Sequence, residues 1–121
     1  MKLPGLSHPI TIARNSNRVR VVFAGQVIAD TTRALTLCEA GYPPVQYIPR
    51  ADAVMSRLTR SARSSHCPFK GNASYFSIVA GATTSDNAVW SYEQPFPAMA
   101  KIAGYLAFYP NRVDRIEETA V

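Results

Sequence analysis

The sequence predicts a mainly β domain built from antiparallel sheets. Three observations lead to this fold class. Short segments rich in β-branched and aromatic residues recur along the chain, and short turns of glycine, proline, asparagine and aspartate separate them. Only one segment carries a clear helical spacing of apolar residues. Strands that follow one another through short turns pair antiparallel, so we expect such sheets with one short helix and one helical turn.

The length and composition indicate one globular domain. The chain has 121 residues, of which 47% are hydrophobic and 17% are charged, a balance that excludes a disordered chain. No apolar run approaches the roughly 20 residues that cross a bilayer. The first six residues, Met1 to Leu6, lack the continuous apolar segment of a secretory signal. We therefore expect a cytoplasmic protein without a membrane partner.

The turn formers and charges suggest how the chain is divided. Residues 1–17 contain two prolines, a glycine and the Asn15-Ser16-Asn17 run, which predict an N-terminal arm. The alternating and apolar segments predict a single β domain over residues 18–115. Residues 116–121 form a charged C-terminal tail in this division.

The elements of the first half begin with a hairpin. Residues 18–23 and 27–30 are predicted strands around the turn Ala24-Gly25-Gln26, and residues 34–39 and 45–48 are two more. The predicted short helix covers residues 51–58. Asp52 is a suitable N-cap there, and Val54, Met55 and Leu58 share one face.

The second half predicts three strands and the helical turn. Residues 72–80, rich in aromatic and β-branched types, form a central strand, and residues 83–87 are the loop that joins it to a strand at 88–92. Pro97 suits the first position of a helical turn over residues 98–103. Residues 105–109 are the last predicted strand.

Charge and cysteine usage limit the chemistry. The net charge is +5, and the stretch from Arg50 to Lys70 holds five basic residues against one acidic residue, which would attract an anion. Cys38 and Cys67 are far apart and belong to no Cys-x-x-Cys pair, so we expect reduced thiols. A zinc site would need both cysteines and both histidines to converge. The sequence therefore predicts no metal and no cofactor.

The segment Ser65-His66-Cys67-Pro68-Phe69-Lys70-Gly71 is the strongest local candidate for a site. A cation near Cys67 lowers a thiol pKa and favours thiolate chemistry, so Cys67 and Lys70 are the candidate catalytic residues, with plain packing of Cys67 as the alternative. Lys70 also supplies a charge for a phosphate or carboxylate, and Gly71 permits close backbone approach. The alternative for Lys70-Gly71 is a tight turn.

Aromatic residues provide a second candidate feature. Trp90 and Tyr92 share a strand face, with Glu93 at the rim, an arrangement typical of small-ligand pockets, and core packing of the rings is the alternative. Tyr75 adds another ring and Arg50 another anion-binding charge. Asp52 is either a helix cap or a ligand contact. The complete predicted ligand-binding set is Arg50, Asp52, Lys70, Gly71, Tyr75, Trp90, Tyr92 and Glu93.

In the same regions the chain resembles the domain of unknown function 427 family. The most specific parts are Cys67-Pro68-Phe69-Lys70-Gly71 and the later Trp90-Ser91-Tyr92; the full match covers residues 22–30, 47–52, 67–76, 90–95 and 102–109. The resemblance implies a β-tent fold similar to methionine sulfoxide reductase B domains. This chain lacks the paired cysteines of the metal-bound relatives, which implies a metal-free fold. The family is sometimes labelled a nucleotidyltransferase, although the usual Gly-Ser loop with paired aspartates is absent here.

Three functions remain open at this point. The first is binding of a small anionic, nucleotide-like ligand, with or without catalysis, in a cleft formed by Lys70, Trp90, Tyr92 and Cys67 with Arg50 at its mouth. The second is a nucleic-acid binding module that uses the basic strip and exposed aromatics. The third is a thiol-dependent redox or transfer activity at Cys67. The sequence identifies neither the ligand nor the oligomeric state.

Overall fold

Ten strands account for most of the structure, which is a computed structural model that describes residues 8–121. The strands are β1 Ile10–Asn15, β2 Arg18–Phe23, β3 Gln26–Thr31, β4 Ala34–Glu39, β5 Val45–Tyr47, β6 Leu58–Cys67, β7 Gly71–Ala80, β8 Thr83–Ser91, β9 Ala107–Phe108 and β10 Arg115–Thr119. All strand pairs are antiparallel, in three sheets: the β4 sheet (β1-β4-β5), the β2 sheet (β10-β2-β3) and the four-stranded sheet (β6-β7-β8-β9). The mainly β, antiparallel fold class is confirmed.

The β2–β3 hairpin lies where the sequence predicts it. Ala24 and Gly25 both have positive φ, 51° and 73°, as a two-residue turn between twisted strands requires. The carboxylate of Asp114 accepts a hydrogen bond from the backbone N–H of Gly25 at 2.9 Å. This contact attaches the hairpin tip to the start of β10.

The four-stranded sheet is covered on both faces. Because side chains alternate along a strand, one face of β7 and β8 packs on the β2 sheet and the other on the β4 sheet. The first core lies against the β2 sheet and includes Val19, Val21, Ile28, Phe76, Ile78 and Val89. The second core lies against the β4 sheet and includes Leu37, Tyr47, Ala73, Tyr75, Tyr92 and Ile102. The adjacent residues Tyr75 and Phe76 of β7 therefore reach different cores.

Strand residues lie within both of the segments predicted as an arm and a tail. Residues 10–15 of the predicted arm form β1, which pairs with β4 along its whole length, because Ile10 and Ile12 pack against the second core. Residues 1–7 of that arm, and the absence of a signal in Met1 to Leu6, lie outside the described residues. In the predicted tail, β10 pairs with β2, and Ile116 packs against the first core.

The predicted helix over residues 51–58 is replaced by two 3₁₀ turns, Arg50–Asp52 and Met55–Arg57. The reason is tertiary: Ala53, between the turns, has an extended backbone and forms a bridge with Ala29 of β3. Asp52 makes no side-chain cap. Further along, Arg60 and Arg63 of the basic strip lie on β6, and the predicted loop at 83–87 is the first half of β8. Pro97 begins a 3₁₀ segment, Pro97–Ile102, as predicted.

Candidate functional site

The predicted site residues do not converge in one cleft. The four-stranded sheet divides most of them into two groups. The group on the side of the second core is Cys67, Lys70, Tyr75, Trp90 and Tyr92. Arg50 and Glu93 contact each other on the side of the first core, beside the ring of Phe76. Asp52 lies in the same 3₁₀ turn as Arg50, but its carboxylate accepts hydrogen bonds from Thr31 and Arg33.

Lys70 is buried and already paired. Its side chain is 8% exposed, and its ammonium donates to a carboxylate oxygen of Glu39 at 2.5 Å. The other oxygen of Glu39 is bound to His8, whose ring stacks on Phe69 with centroids 4.0 Å apart. Burial acts to raise the pKa of Glu39, but the hydrogen bonds from Lys70 and His8 lower it overall. The charge of Lys70 is thus neutralised within the protein.

Gly71 and Cys67 form the closed end of the β6–β7 hairpin. They are paired residues of the two strands, and the backbone N–H of Lys70 donates to the carbonyl of Cys67 at 3.3 Å. Gly71 has φ +114°, a region that side chains rarely adopt, and an added Cβ would lie 3.4 Å from Cα of Pro95. Cys67 is half-buried against the second core. This end of the hairpin has the geometry of the tight turn.

Glu93 joins two arginines. One of its oxygens accepts from Arg50 at 2.8 Å and from Arg60 at 2.9 Å, and its other oxygen accepts from Arg60 at 2.8 Å. Both guanidinium groups lie over the Phe76 ring, at 5.4 Å and 4.9 Å from its centroid. The hydrogen bond from Arg60 is the main cause that lowers the pKa of Glu93 to about 2. Arg50 therefore shares its charge with an internal carboxylate.

Trp90 forms one wall of a cavity of about 440 Å³ where the three sheets meet. Its indole N–H donates to the hydroxyl of Tyr47 at 3.2 Å, and its ring packs on Tyr109 with centroids 4.4 Å apart. These two contacts fix the ring. The other lining residues are Val21, Pro44, Val45, Gln46, Ile48, Phe108, Pro110, Arg115, Ile116 and Glu118.

Tyr92 and Tyr75 have separate surroundings from this cavity. Tyr92 is buried in the second core, where desolvation raises its pKa. The hydroxyl of Tyr75 lies 2.9 Å from Oγ of Ser65 and 3.4 Å from the hydroxyl of Tyr109. Burial raises the pKa of Tyr109 to about 12. Of the predicted site residues, only Trp90 borders this cavity, whereas Glu93 borders a separate polar one of about 430 Å³.

A comparison with family models matches residues 11–119 to the family described as Domain of unknown function (DUF427). The chain belongs to the DUF427 family. The match includes β1 and β10, in agreement with their places in the sheets. None of the curated proteins matches the chain.

Three findings apply to the described part of this DUF427 domain. Across residues 8–121, no group of three or more His, Cys, Asp or Glu side chains could hold a metal ion. Both cysteines, Cys38 and Cys67, are free. Within the same range, no helix is long and apolar enough to cross a membrane.

The sequence points to Trp90 but not to most of the other residues that line the cavity beside it. Gln46 and Ile48 come from β5 and the residue after it, and Arg115, Ile116 and Glu118 come from β10. One sequence signal could have predicted β10: the apolar Ile116 lies between charged neighbours, as in a strand with one buried face. This alternation covers very few residues.

Proposed function

We propose that this DUF427 domain binds a small anionic ligand with a flat, nucleotide-like ring in the cavity beside Trp90. The observation that carries the proposal is a fixed indole ring on the wall of a cavity of about 440 Å³. Small-ligand sites fall in the range of roughly 300–1,000 Å³ and combine apolar walls with a few polar groups. Because Tyr47 and Tyr109 already hold the ring, stacking a ligand on it costs little ordering.

Two polar side chains of the lining suit the anionic part. Arg115 is 59% exposed, and its only ion pair within the described chain is a 3.5 Å contact with Glu117. Such an exposed pair is weak, so the guanidinium can turn towards a ligand. The Gln46 amide oxygen accepts from Asn15 and Thr36, which leaves its NH₂ group to donate into the cavity. Glu118 also lines the cavity and would repel an anion placed beside it.

In this proposal Arg115, and not the predicted Lys70 or Arg50, contacts the anionic part of the ligand. Lys70 is neutralised by Glu39, and Arg50 is paired with Glu93, so a ligand would have to compete with these internal pairs. The two other functions rank lower for the same reason. Thiolate chemistry at Cys67 would need the charge of Lys70, which is paired with Glu39. Nucleic-acid binding would use the basic strip, in which Arg60 is already paired with Glu93.

We expect Trp90→Ala to weaken binding of a planar anion about tenfold or more, because stacking on one ring contributes roughly 1–3 kcal/mol. Trp90 is the only tryptophan, so its fluorescence can screen nucleoside monophosphates and planar carboxylates against the unmodified domain. Calorimetry then compares Trp90→Ala and Trp90→Phe with the parent. Trp90→Phe should retain most of the affinity.

Phe96→Ala is the matched control, since it removes an aromatic ring that is 41% exposed and lies outside this cavity. It should bind as the parent does. The proposal is contradicted when no planar anion changes the fluorescence at millimolar concentration, or when Trp90→Ala binds as tightly as Phe96→Ala.

A further inference from the structure

Strand β6 contains a wide bulge that places an arginine over a tyrosine. The β6–β7 pairing is interrupted between Arg60 and Ser64, so three β6 residues stand opposite Tyr75. The hydroxyl of Ser61 donates to Oδ1 of Asn87 at 2.6 Å and accepts from the backbone N–H of Arg63 at 3.1 Å. These bonds hold the bulge, and the Arg63 guanidinium lies 4.9 Å from the centroid of the Tyr75 ring.

Three hydroxyl groups next to this guanidinium form a row of hydrogen-bond contacts. Oγ of Ser65, the Tyr75 hydroxyl and the Tyr109 hydroxyl follow one another at 2.9 Å and 3.4 Å. Burial acts to raise the pKa of Tyr75, but hydrogen bonds with the Ser65 and Tyr109 hydroxyls, together with the nearby charge of Arg63, lower it overall. The Arg63 charge beside these hydroxyls also favours a bound anion.

Beside Tyr109 a cavity of about 270 Å³ contains two arginines. Its lining is Arg63, Asp86, Asn87, Tyr109, Asn111 and Arg112. Neither Arg63 nor Arg112 forms an ion pair within residues 8–121, in contrast to Arg50 and Arg60. Oδ1 of Asn87 is occupied by Ser61, so its NH₂ group is the part left to donate to a ligand. Asp86 is the single acidic side chain of the lining.

We propose that this cavity is a second binding site, which takes a compact oxyanion of the phosphate type. The two guanidinium groups carry more positive charge than the one carboxylate of the lining can neutralise. The paired N–H donors of each guanidinium also match the spacing of two phosphate oxygens. The Tyr109 hydroxyl and the Asn87 amide add neutral donors. The site adjoins the Trp90 cavity through the contact of the Trp90 and Tyr109 rings, but it does not depend on that cavity being occupied.

The test is a titration of the full ¹⁵N-labelled chain with inorganic phosphate at constant ionic strength. Arginine side-chain signals and the backbone signals of Asn87, Asn111 and Arg112 should shift and saturate. Arg63→Gln and Arg112→Gln should each raise the dissociation constant about tenfold, since each removes charge-assisted hydrogen bonds. Arg14→Gln is the matched control, because it removes the same charge from an exposed position on β1 and should leave the constant unchanged.

Non-saturating shifts, or equal binding by Arg63→Gln, Arg112→Gln and Arg14→Gln, would overturn the proposal. Arg112 lies on an exposed 3₁₀ turn, so its replacement gives a valid test even where Arg63→Gln disturbs the bulge. Arg115→Gln distinguishes the two sites, because Arg115 lines the Trp90 cavity and not this one. It should weaken binding of the planar anion and leave phosphate binding unchanged, so failure of either proposal is seen separately.

Discussion

Glu39→Gln should lower the free energy of unfolding by about 3 kcal/mol, the scale expected when one partner of a buried ion pair is removed. The substitution leaves the Lys70 ammonium, 8% exposed, without its carboxylate in the interior. It also weakens the attachment of His8, which the same carboxylate holds. Equilibrium unfolding in urea measures the change as a shift in midpoint at constant slope.

A double-mutant cycle separates the ion pair from general damage. Lys70→Met removes the ammonium and leaves Glu39 with His8, and the double variant Glu39→Gln/Lys70→Met removes both charges. The double variant should be more stable than the sum of the single changes predicts, by at least about 1 kcal/mol. Asp30→Asn breaks the more exposed pair with Arg18, 44% and 35% exposed, and should cost less than about 1 kcal/mol. Additive single effects would contradict the assigned role of the pair.

Glu93→Gln should cost about 1–2 kcal/mol at neutral pH and little at pH 2. The folded pKa of Glu93 is about 2, against an ordinary value of 4.5. Between about pH 2 and pH 4.5 the unfolded chain binds more protons than the folded one. The contribution of Glu93 to the free energy of unfolding is therefore complete above about pH 4.5 and is lost as the pH falls towards 2. The full shift would correspond to roughly 3 kcal/mol, which we reduce because the side chain is 31% exposed.

The measurement is the free energy of unfolding of the parent and of Glu93→Gln from pH 7 to pH 2. Carboxylates such as Asp30 and Asp52 also have lowered pKa values, so both proteins lose stability in acid. Only the difference between the two curves reports on Glu93, and it should close as the pH falls. A difference that stays constant over the whole range would contradict the assignment.

Local patterns were sufficient for much of the fold and little of the site. The hairpin at Ala24-Gly25 follows from a short alternation and a turn, and Trp90 follows from its place in an aromatic strand. By contrast, Lys70 meets Glu39 across 31 residues of sequence, and Arg50 meets Glu93 across 43. No local signal encodes these tertiary contacts, which decide whether a charge is available to a ligand.

Side chains alternate between the two faces of a strand, which explains why the residues predicted to form one cleft lie on two sides of the four-stranded sheet. Tyr92 and Glu93 are neighbours in sequence, yet the ring lies in the second core and the carboxylate contacts arginines beside the first. Tyr75 and Phe76 of β7 show the same division, because adjacent strand residues point to opposite faces: Tyr75 packs in the second core and Phe76 in the first.

The bulge in β6 also has a consequence for how copies of this protein meet. β6 is an outermost strand of its sheet, and an exposed edge of ten residues is a template for strand addition, the first step towards fibrils. The bulge between Arg60 and Ser64 interrupts the β6–β7 pairing and bends β6 in its middle. A bent strand with arginine charge offers a strand from another molecule only short straight runs, so we expect the bulge that holds Arg63 at the proposed oxyanion site to oppose edge-to-edge aggregation as well.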